Sequence, residues 1–226
     1  MDRFFDIVFS ALALLAFSPL LLLIIVILKS TGEGEVFFLQ ERIGKTGKVF
    51  RLFKFATMFK DSPNIGTGTV TMKDDPRVLP VGKFLRKTKV NELPQLLNIF
   101  LGEMSVIGPR PLTFQTFSSY SRNTKDVIKQ VRPGLSGLGS IIFRGEEEIM
   151  HGRTASIDFY GNVIAPYKGS LEEWYVTNRS LYMYFMLIFV TVWVVILPKS
   201  RIHWIVFKGL PEPPIELRKI LKFSCE

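Results

Sequence analysis

The hydrophobic pattern divides the chain into two apolar runs and a polar middle. The first run, Ile7 to Leu28, covers 22 positions without a charge, and 19 of them are apolar. A straight helix of that length extends about 33 Å, enough to cross a hydrocarbon core of about 30 Å. Ser18 and Pro19 lie near the middle of the run. There the proline predicts a kink, and the serine can satisfy a carbonyl that the proline leaves free.

The charges that flank this run leave two membrane geometries open. Arg3 precedes the run and Lys29 follows it, so the positive-inside rule gives no direction. A plain span would separate residue 1 from the rest of the chain across the bilayer. A re-entrant helix-break-helix would return to the same face. A cleaved signal peptide fits poorly, because the run is too long and no small-residue cleavage site follows it before Lys29.

The second apolar run covers Leu181 to Leu197, where only Thr191 is not apolar. It is short for a span, so the alternatives are a buried core helix and an interfacial helix. Such a run also suits a contact between two copies in a homodimer.

Two short patterns that follow the first run predict a β-hairpin. Val36 to Leu39 is a strand candidate, Gly44 to Gly47 is a turn, and Val49 to Phe55 alternates apolar and basic residues. Residues 61–76 are rich in turn formers and predict a mobile loop. No strand-glycine-helix context surrounds the glycines of that loop, so it is not expected to bind phosphate.

Helical spacing returns between Val81 and Leu101. Asn91 suits an N-cap, and Glu92 suits a first turn, where the helix dipole favours an anion. The three- and four-residue spacing predicts one apolar helix face made of Leu93, Leu96, Leu97 and Phe100.

The charge balance favours an anionic partner. The 226 residues carry a net charge of +9, and residues 29–110 hold 14 Lys and Arg against eight Asp and Glu. A basic segment beside an apolar run suits anionic lipid or a phosphorylated substrate. Nucleic acid is not expected, because no standard binding module is present. One cysteine, Cys225, and two histidines exclude an internal disulfide framework and make a zinc site unlikely.

Proline-containing turns bring further arginines into consideration. The sequence Gly108-Pro109-Arg110-Pro111 fixes the backbone on both sides of Arg110, which lowers the entropy lost when that side chain binds a phosphate. Val131 to Gly137 contains a second Arg-Pro-Gly turn, and Arg144 follows it. The run Glu146 to Glu148 is expected to be a solvated acidic face.

Seven of these segments, in this order, resemble the bacterial sugar transferases, the monotopic phosphoglycosyl transferases of glycoconjugate assembly. The resemblance covers roughly residues 1 to 180, and the stretch from about 75 to 140 is the most specific. The segments that carry it are Gln40 to Gly44, Phe53 to Met58, Asp75 to Val78, Phe84 to Thr88, Asn91 to Leu96, Gly102 to Leu112 and Val131 to Gly134.

The resemblance implies a fold, a reaction and a location. It implies a compact α/β domain (residues 31–180) on the cytoplasmic face of the bacterial inner membrane. Residues 1–30 are then a re-entrant helix broken at Ser18 and Pro19, and residues 181–226 an apolar interfacial or core helix with a tail. The implied reaction moves a sugar 1-phosphate from a UDP-sugar to undecaprenyl phosphate, with Mg²⁺ as cofactor. Membrane lipid is an expected partner, and further interfacial amphipathic helices are expected.

The resemblance also assigns roles to individual residues. It implies an Asp-Glu dyad whose aspartate attacks the β-phosphate, and the matching positions are Asn91 and Glu92. Glu92 is then the second acid and a neighbour of Mg²⁺. Basic residues around the phosphates are implied at Lys54, Arg86, Arg110 and Arg144. Tyr184 stands where the family often has an aspartate.

Asn91 is the main departure from the family pattern, because a carboxamide is a poor nucleophile toward phosphorus. Three interpretations follow. Asn91 is an engineered inactivating change, or the enzyme works through Glu92 or by direct transfer between its substrates, or the chain is an inactive protein that binds nucleotide sugar or lipid phosphate.

Overall fold

A computed structural model describes residues 2–64, 75–144 and 159–223, which form a mixed helix and sheet structure. The strands are β1 (Phe37–Ile43), β2 (Val49–Phe55), β3 (Ser105–Ile107) and β4 (Gly134–Ser136). The helices of these residues are α1 (Asp2–Ser30), α2 (Pro80–Lys87), α3 (Gln95–Leu101), α4 (Phe114–Ser118), α5 (Arg122–Ile128), α6 (Leu138–Ile142), α7 (Ala165–Thr177), α8 (Leu181–Ile196), α9 (Ile202–Val206) and α10 (Ile215–Arg218). Most of the predicted loop 61–76 and all of Glu146 to Glu148 lie outside the described residues.

The predicted hairpin is confirmed, with a longer first strand. β1 and β2 pair antiparallel, with Phe37 opposite Phe55 and Ile43 opposite Val49. The turn is a single 3₁₀ turn in which Thr46 and Gly47 adopt positive φ angles of 59° and 80°. β3 and β4 form a second, parallel pair.

Helical structure continues through Ser18 and Pro19, so a re-entrant bend at this pair stays a prediction. α1 is one continuous helix of 29 residues with Pro19 inside it. Pro19 lacks the N–H that would bond the carbonyl of Leu15 four residues earlier. The hydroxyl of Ser18 donates to that same carbonyl at 2.8 Å. The serine thus compensates for the missing backbone donor, as the sequence suggested, and the helix continues.

One stripe of α1 packs on the domain from its first turn to its last. Near the start the partners of Phe5 and Phe9 are core residues of α6 to α8. Near the end Ile24 and Leu28 pack with Phe55 of β2 and Leu85 of α2. The opposite face is apolar and exposed, and within the described residues α1 alone is long and apolar enough to cross a membrane.

A buried carboxylate fastens the start of α1. Asp6 is 1% exposed. Its Oδ1 atom accepts hydrogen bonds of 2.9 Å from the Ser105 hydroxyl, the Val106 N–H and the Tyr184 hydroxyl. Asp6 therefore joins α1 to β3 and α8. Tyr184, which the sequence marked as a departure from the family pattern, donates one of these bonds.

The predicted helix between Val81 and Leu101 is two helices joined by a 3₁₀ turn, Val90–Glu92. The chain leaves α2 through Lys89, whose φ angle is +61°, and α3 begins only after Pro94. Asn91 lies within the 3₁₀ turn and makes no side-chain cap, so the predicted N-cap is wrong. Its residue type suits a cap, but α3 starts at Gln95, four residues beyond it and directly after Pro94.

The predicted apolar face of α3 is also only partly correct. Leu96 is buried, but Leu97 and Phe100 are 38% and 44% exposed. The buried face of α3 includes the polar residues Gln95 and Asn98, which a search for apolar spacing cannot recognise.

Asn98 joins α3 to the hairpin. It is fully buried, and its Oδ1 accepts from the Phe53 N–H at 3.0 Å. Its Nδ2 donates to the Arg51 carbonyl at 2.8 Å and to Glu103 at 2.7 Å. One side chain therefore sets the position of β2 against α3.

The second apolar run forms α8, which has two different faces. Tyr184, Leu187, Val190 and Val194 are buried in the core with α6 and α7, so the core-helix alternative is correct for this face. The other face is apolar and exposed, and Phe185 contacts Phe5 of α1 at a ring distance of 4.9 Å. The proposed division of the chain at residues 30 and 180 stays a prediction.

We expect Asp6→Ala to lower the free energy of unfolding by about 2 to 5 kcal/mol, because three buried donors lose their acceptor. In thermal unfolding in nanodiscs this corresponds to a fall of roughly 5–15 °C. Asp2→Ala is the matched control. It removes a partly exposed ion pair with Arg179, and such pairs contribute at most about 1 kcal/mol. Equal shifts in both variants would contradict the anchoring role of Asp6.

Candidate active site

A small pocket lies where the hairpin, the start of α3 and the loop after β3 meet. Its polar lining is mostly cationic. The residues that line it are Arg42, Leu52, Lys54, Glu92, Gln95, Arg110, Pro111, Gly134 and Leu135. Three site residues predicted from the sequence, Lys54, Glu92 and Arg110, are thus brought together from three separate segments.

Glu92 is the carboxylate of this pocket, and two cations face it. Its Oε1 lies 3.9 Å from Lys54 Nζ and 3.8 Å from Arg110 Nη2. Burial alone would raise the pKa of the Glu92 carboxyl, but the charges of Lys54, Arg110 and further nearby cations outweigh burial and hold that pKa below its usual value. Glu92 is therefore ionised at neutral pH.

Lys54 projects from β2 into the same pocket, and its side chain is 18% exposed. Burial lowers the pKa of Lys54 to about 8, and the charge of Glu92 opposes that effect. An ammonium with this pKa changes its charge in the range where many enzymes are assayed. At pH 7 it remains protonated and can bind a phosphate.

The loop that carries Arg110 is held on both sides. The Gly134 N–H donates to the Pro109 carbonyl at 2.8 Å, and the Gly108 N–H donates to the Ser136 carbonyl at 2.9 Å. The two backbones are so close that a Cβ atom on Gly134 would lie 2.1 Å from the Gly108 nitrogen. The loop is therefore fixed by packing as well as by its two prolines, and the exposed Arg110 side chain extends from a rigid base.

Arg42 belongs to the site, although the sequence analysis did not assign it a role. Its Nη1 donates to the Pro111 carbonyl at 2.9 Å, and its Nη2 donates to Gln40 Oε1 at 2.5 Å. Its Nε atom is buried and has no hydrogen-bond partner. Burial and then the charge of Arg110 lower the pKa of Arg42 to about 10. The sequence feature that could have pointed to Arg42 is its two-residue spacing from Gln40, which puts both side chains on one face of β1.

Asn91 lies beside the pocket but does not line it. The residue is 7% exposed, and its Oδ1 atom is buried without a hydrogen-bond partner. A carboxamide has the shape of a carboxylate but lacks its charge. Asn91 thus leaves Glu92 as the one acidic residue that lines the pocket.

The remaining predicted basic residues occupy different places. Arg86, in the last turn of α2, is near enough for its charge to act on Glu92 and Lys54. Arg144 donates to the Val194 carbonyl near the end of α8 and does not line the pocket. Ser18 and Pro19 lie in α1. The motif Asp75 to Val78 forms a buried ion pair of 2.6 Å between Asp75 and Arg77 away from the pocket lining.

The donor set fits a magnesium ion only together with a substrate. The described residues contain no group of three acidic, histidine or cysteine side chains that could hold a metal. Mg²⁺ is often bound by one or two carboxylates plus substrate phosphates and water. Glu92 offers the one carboxylate of the pocket lining, so the substrate phosphates and water would have to supply the remaining ligands.

Comparison with known proteins identifies the family. Residues 1–198 match the family described as "Bacterial sugar transferase", and the chain belongs to this family. It is 35% identical over 204 residues to the Exopolysaccharide production protein ExoY of Sinorhizobium fredii. The aligned region covers 84% of this chain and 83% of that protein. The family resemblance of the sequence motifs is thereby confirmed.

Longer relatives match through part of their length. The UDP-N-acetylgalactosamine-undecaprenyl-phosphate N-acetylgalactosaminephosphotransferase of Aeromonas hydrophila is 34% identical over 84% of this chain and 42% of its own length. The UDP-glucose:undecaprenyl-phosphate glucose-1-phosphate transferase of Klebsiella pneumoniae is 34% identical over 88% of this chain and 40% of its own length.

The pKa of Lys54 generates a prediction for nucleotide binding. We expect the affinity for UDP to fall about tenfold as the pH rises from 7 to 9.5, because Lys54 loses its charge near pH 8. Lys54→Arg should remove this fall, since a guanidinium stays charged throughout that range. Calorimetric titration at each pH measures the effect.

Lys45→Arg is the control for this titration, because Lys45 is exposed in the hairpin turn. It should keep the fall near pH 8. A fall that persists unchanged in Lys54→Arg would show that another group is responsible.

Proposed function

We propose that this protein transfers a sugar 1-phosphate from a UDP-sugar to undecaprenyl phosphate, an initiating membrane step of polysaccharide synthesis. The observation that carries the proposal is the pocket in which Lys54 and Arg110 face the ionised Glu92. Such a pocket suits a diphosphate substrate and supplies one carboxylate for chemistry. The activities named for the Aeromonas and Klebsiella relatives support the same substrate classes.

The proposed reaction has two displacements at one phosphorus atom. A Glu92 carboxylate oxygen attacks the β-phosphorus, the bond to the bridging oxygen breaks, and UMP leaves with that oxygen and its electron pair. A phosphate oxygen of undecaprenyl phosphate then attacks the same phosphorus and releases the Glu92 carboxylate. Lys54 and Arg110 offset the negative charge that gathers as two anions approach each other.

Mg²⁺ is the proposed cofactor. Glu92 would hold it together with the substrate phosphates and water. When bound, the ion reduces the repulsion between phosphate and nucleophile.

Asn91 supports a second candidate function, a non-catalytic protein that binds nucleotide sugar or lipid phosphate. With a carboxamide in place of the attacking aspartate, the cationic pocket still suits diphosphate binding. The two candidates differ in turnover and agree in binding.

The membrane placement that we propose is monotopic, in one leaflet on the cytoplasmic face of the inner membrane. Both ends of α1 contact the same domain, through Asp6 near the start and Leu28 near the end. A perpendicular span would draw that charged domain into hydrocarbon, at a prohibitive cost in free energy. The exposed apolar faces of α1 and α8 are proposed to meet lipid, and the homodimer contact stays a prediction.

The first test is UMP release in nanodiscs that contain undecaprenyl phosphate, with Mg²⁺ and a panel of UDP-sugars. We expect release by the unaltered chain and a loss of at least about 100-fold in Glu92→Gln, because the variant lacks the attacking carboxylate. Without lipid acceptor, labelled UMP should exchange into the UDP-sugar only if Glu92 forms the covalent intermediate.

Asn91→Asp separates the two candidate functions. Silence of the unaltered chain with every sugar, combined with turnover in Asn91→Asp, would favour the non-catalytic candidate. Release that survives in Glu92→Gln would instead refute the assignment of the nucleophile.

Labelling from each side of the membrane tests the topology. In a Cys225→Ser background, Asp2→Cys and Lys29→Cys place a thiol at each end of α1. We expect an impermeant maleimide to label both from the cytoplasmic face, with Lys45→Cys in the hairpin turn as the cytoplasmic reference. Labelling of either end from the periplasm would end the monotopic proposal.

A further inference from the structure

We propose that Arg42 binds the diphosphate of the nucleotide sugar, with its Nε–H donating to a phosphate oxygen. This inference rests on the proposed function, because it names the diphosphate as the ligand. It adds a residue from β1 to a site otherwise built from β2, the turn before α3 and the loop after β3.

Arg42 has an unused hydrogen-bond donor in the pocket lining. Arg42 lines the same pocket as Lys54, Glu92 and Arg110. Its Nε is buried and has no partner, while both Nη atoms are used. A buried donor without an acceptor costs roughly 1–3 kcal/mol. An anionic ligand in the pocket would supply the missing acceptor.

The guanidinium charge of Arg42 is not paired with an anion in the described part of the chain. Its two hydrogen-bond acceptors, the Pro111 carbonyl and Gln40 Oε1, are both neutral. Among the described residues no carboxylate lies within ion-pair distance of Arg42: Glu92 is paired with Lys54 and Arg110 and acts on Arg42 only at longer range, against the repulsion from Arg110. A buried cation usually needs an anion nearby. Glu92 is the one carboxylate in the pocket lining and already faces Lys54 and Arg110, so a diphosphate would bring the anion that Arg42 lacks.

The Arg42 guanidinium is preorganised for binding. The bonds to Pro111 and Gln40 hold the guanidinium plane in place before any ligand arrives. Because Nε shares that rigid plane, little further entropy is lost when it donates. The same bond to Pro111 also braces the loop that carries Arg110, so a purely structural role is the competing explanation and the test must separate the two.

The test compares UDP with uridine as probes in calorimetric titrations of the full chain in nanodiscs. Arg42→Lys keeps a positive charge but lacks the Nε donor in its rigid plane. We expect UDP to bind about 10- to 100-fold more weakly to this variant, and uridine to bind as it does to the unaltered chain. A structural role would weaken both probes and lower the unfolding temperature.

Arg51→Lys is the matched control. Arg51 is an exposed arginine on the neighbouring strand, opposite Glu41 in the hairpin register. Arg51→Lys should leave the affinity for UDP and the unfolding temperature unchanged. Unaltered UDP affinity in Arg42→Lys would overturn the role of Arg42, while turnover by the unaltered chain would leave the proposed function standing. Absence of UDP binding to the unaltered chain would overturn both.

A measurement on the unaltered protein covers the case in which Arg42→Lys does not fold. With ¹⁵N-labelled arginine, the Nε–H resonance of Arg42 should shift when UDP saturates the protein, because the group gains an acceptor. An Nε–H resonance that stays in place at saturation would overturn the inference without any substitution at Arg42.

Discussion

The carboxamide of Asn98 is the interaction on which the geometry of the pocket depends. It bonds the backbone of β2 on both sides of Leu52 and so fixes the strand against α3. Lys54 follows two residues later on that strand, and Glu92 lies just before that helix. The distance between the two charged groups is thus set by a buried polar contact outside the pocket lining. Hydrogen bonds of this kind are directional, so they specify one arrangement where apolar packing alone permits several.

The pocket is built with an excess of positive charge, and its chemistry follows from that excess. Arg42, Lys54 and Arg110 line it with a single carboxylate, Glu92. Burial lowers the pKa values of Arg42 and Lys54, and repulsion from Arg110 lowers both further. A diphosphate relieves the repulsion that the empty pocket contains. Asn91 increases this excess by one charge relative to an aspartate at the same position.

The sequence was most informative where a local pattern decides the structure. The hairpin was predictable because residues 49–55 alternate and the turn residues accept positive φ angles. Lys54, Glu92 and Arg110 could be named from motifs, although only the fold shows that they meet. Asp6 and Asn98 escaped notice because each acts through partners that are distant in sequence, up to 178 residues away for Asp6. Arg42 escaped notice because Pro111, which joins it to the Arg110 loop, lies 69 residues away. At the predicted break, helical structure continues, since the Ser18 hydroxyl donates to the carbonyl that Pro19 leaves without a backbone donor.

The apolar helix α1 is connected to the candidate site through α3. Arg3 of α1 donates to the Ile99 and Phe100 carbonyls at the end of α3, where the helix dipole favours a cation. The 3₁₀ turn that carries Glu92 precedes the other end of α3. A displacement of α1 would therefore act on the base of the pocket through one short helix. A protein that joins a water-soluble donor to a lipid-bound acceptor needs its pocket at a fixed height above the lipid, and direct attachment of α3 to the apolar helix meets that need.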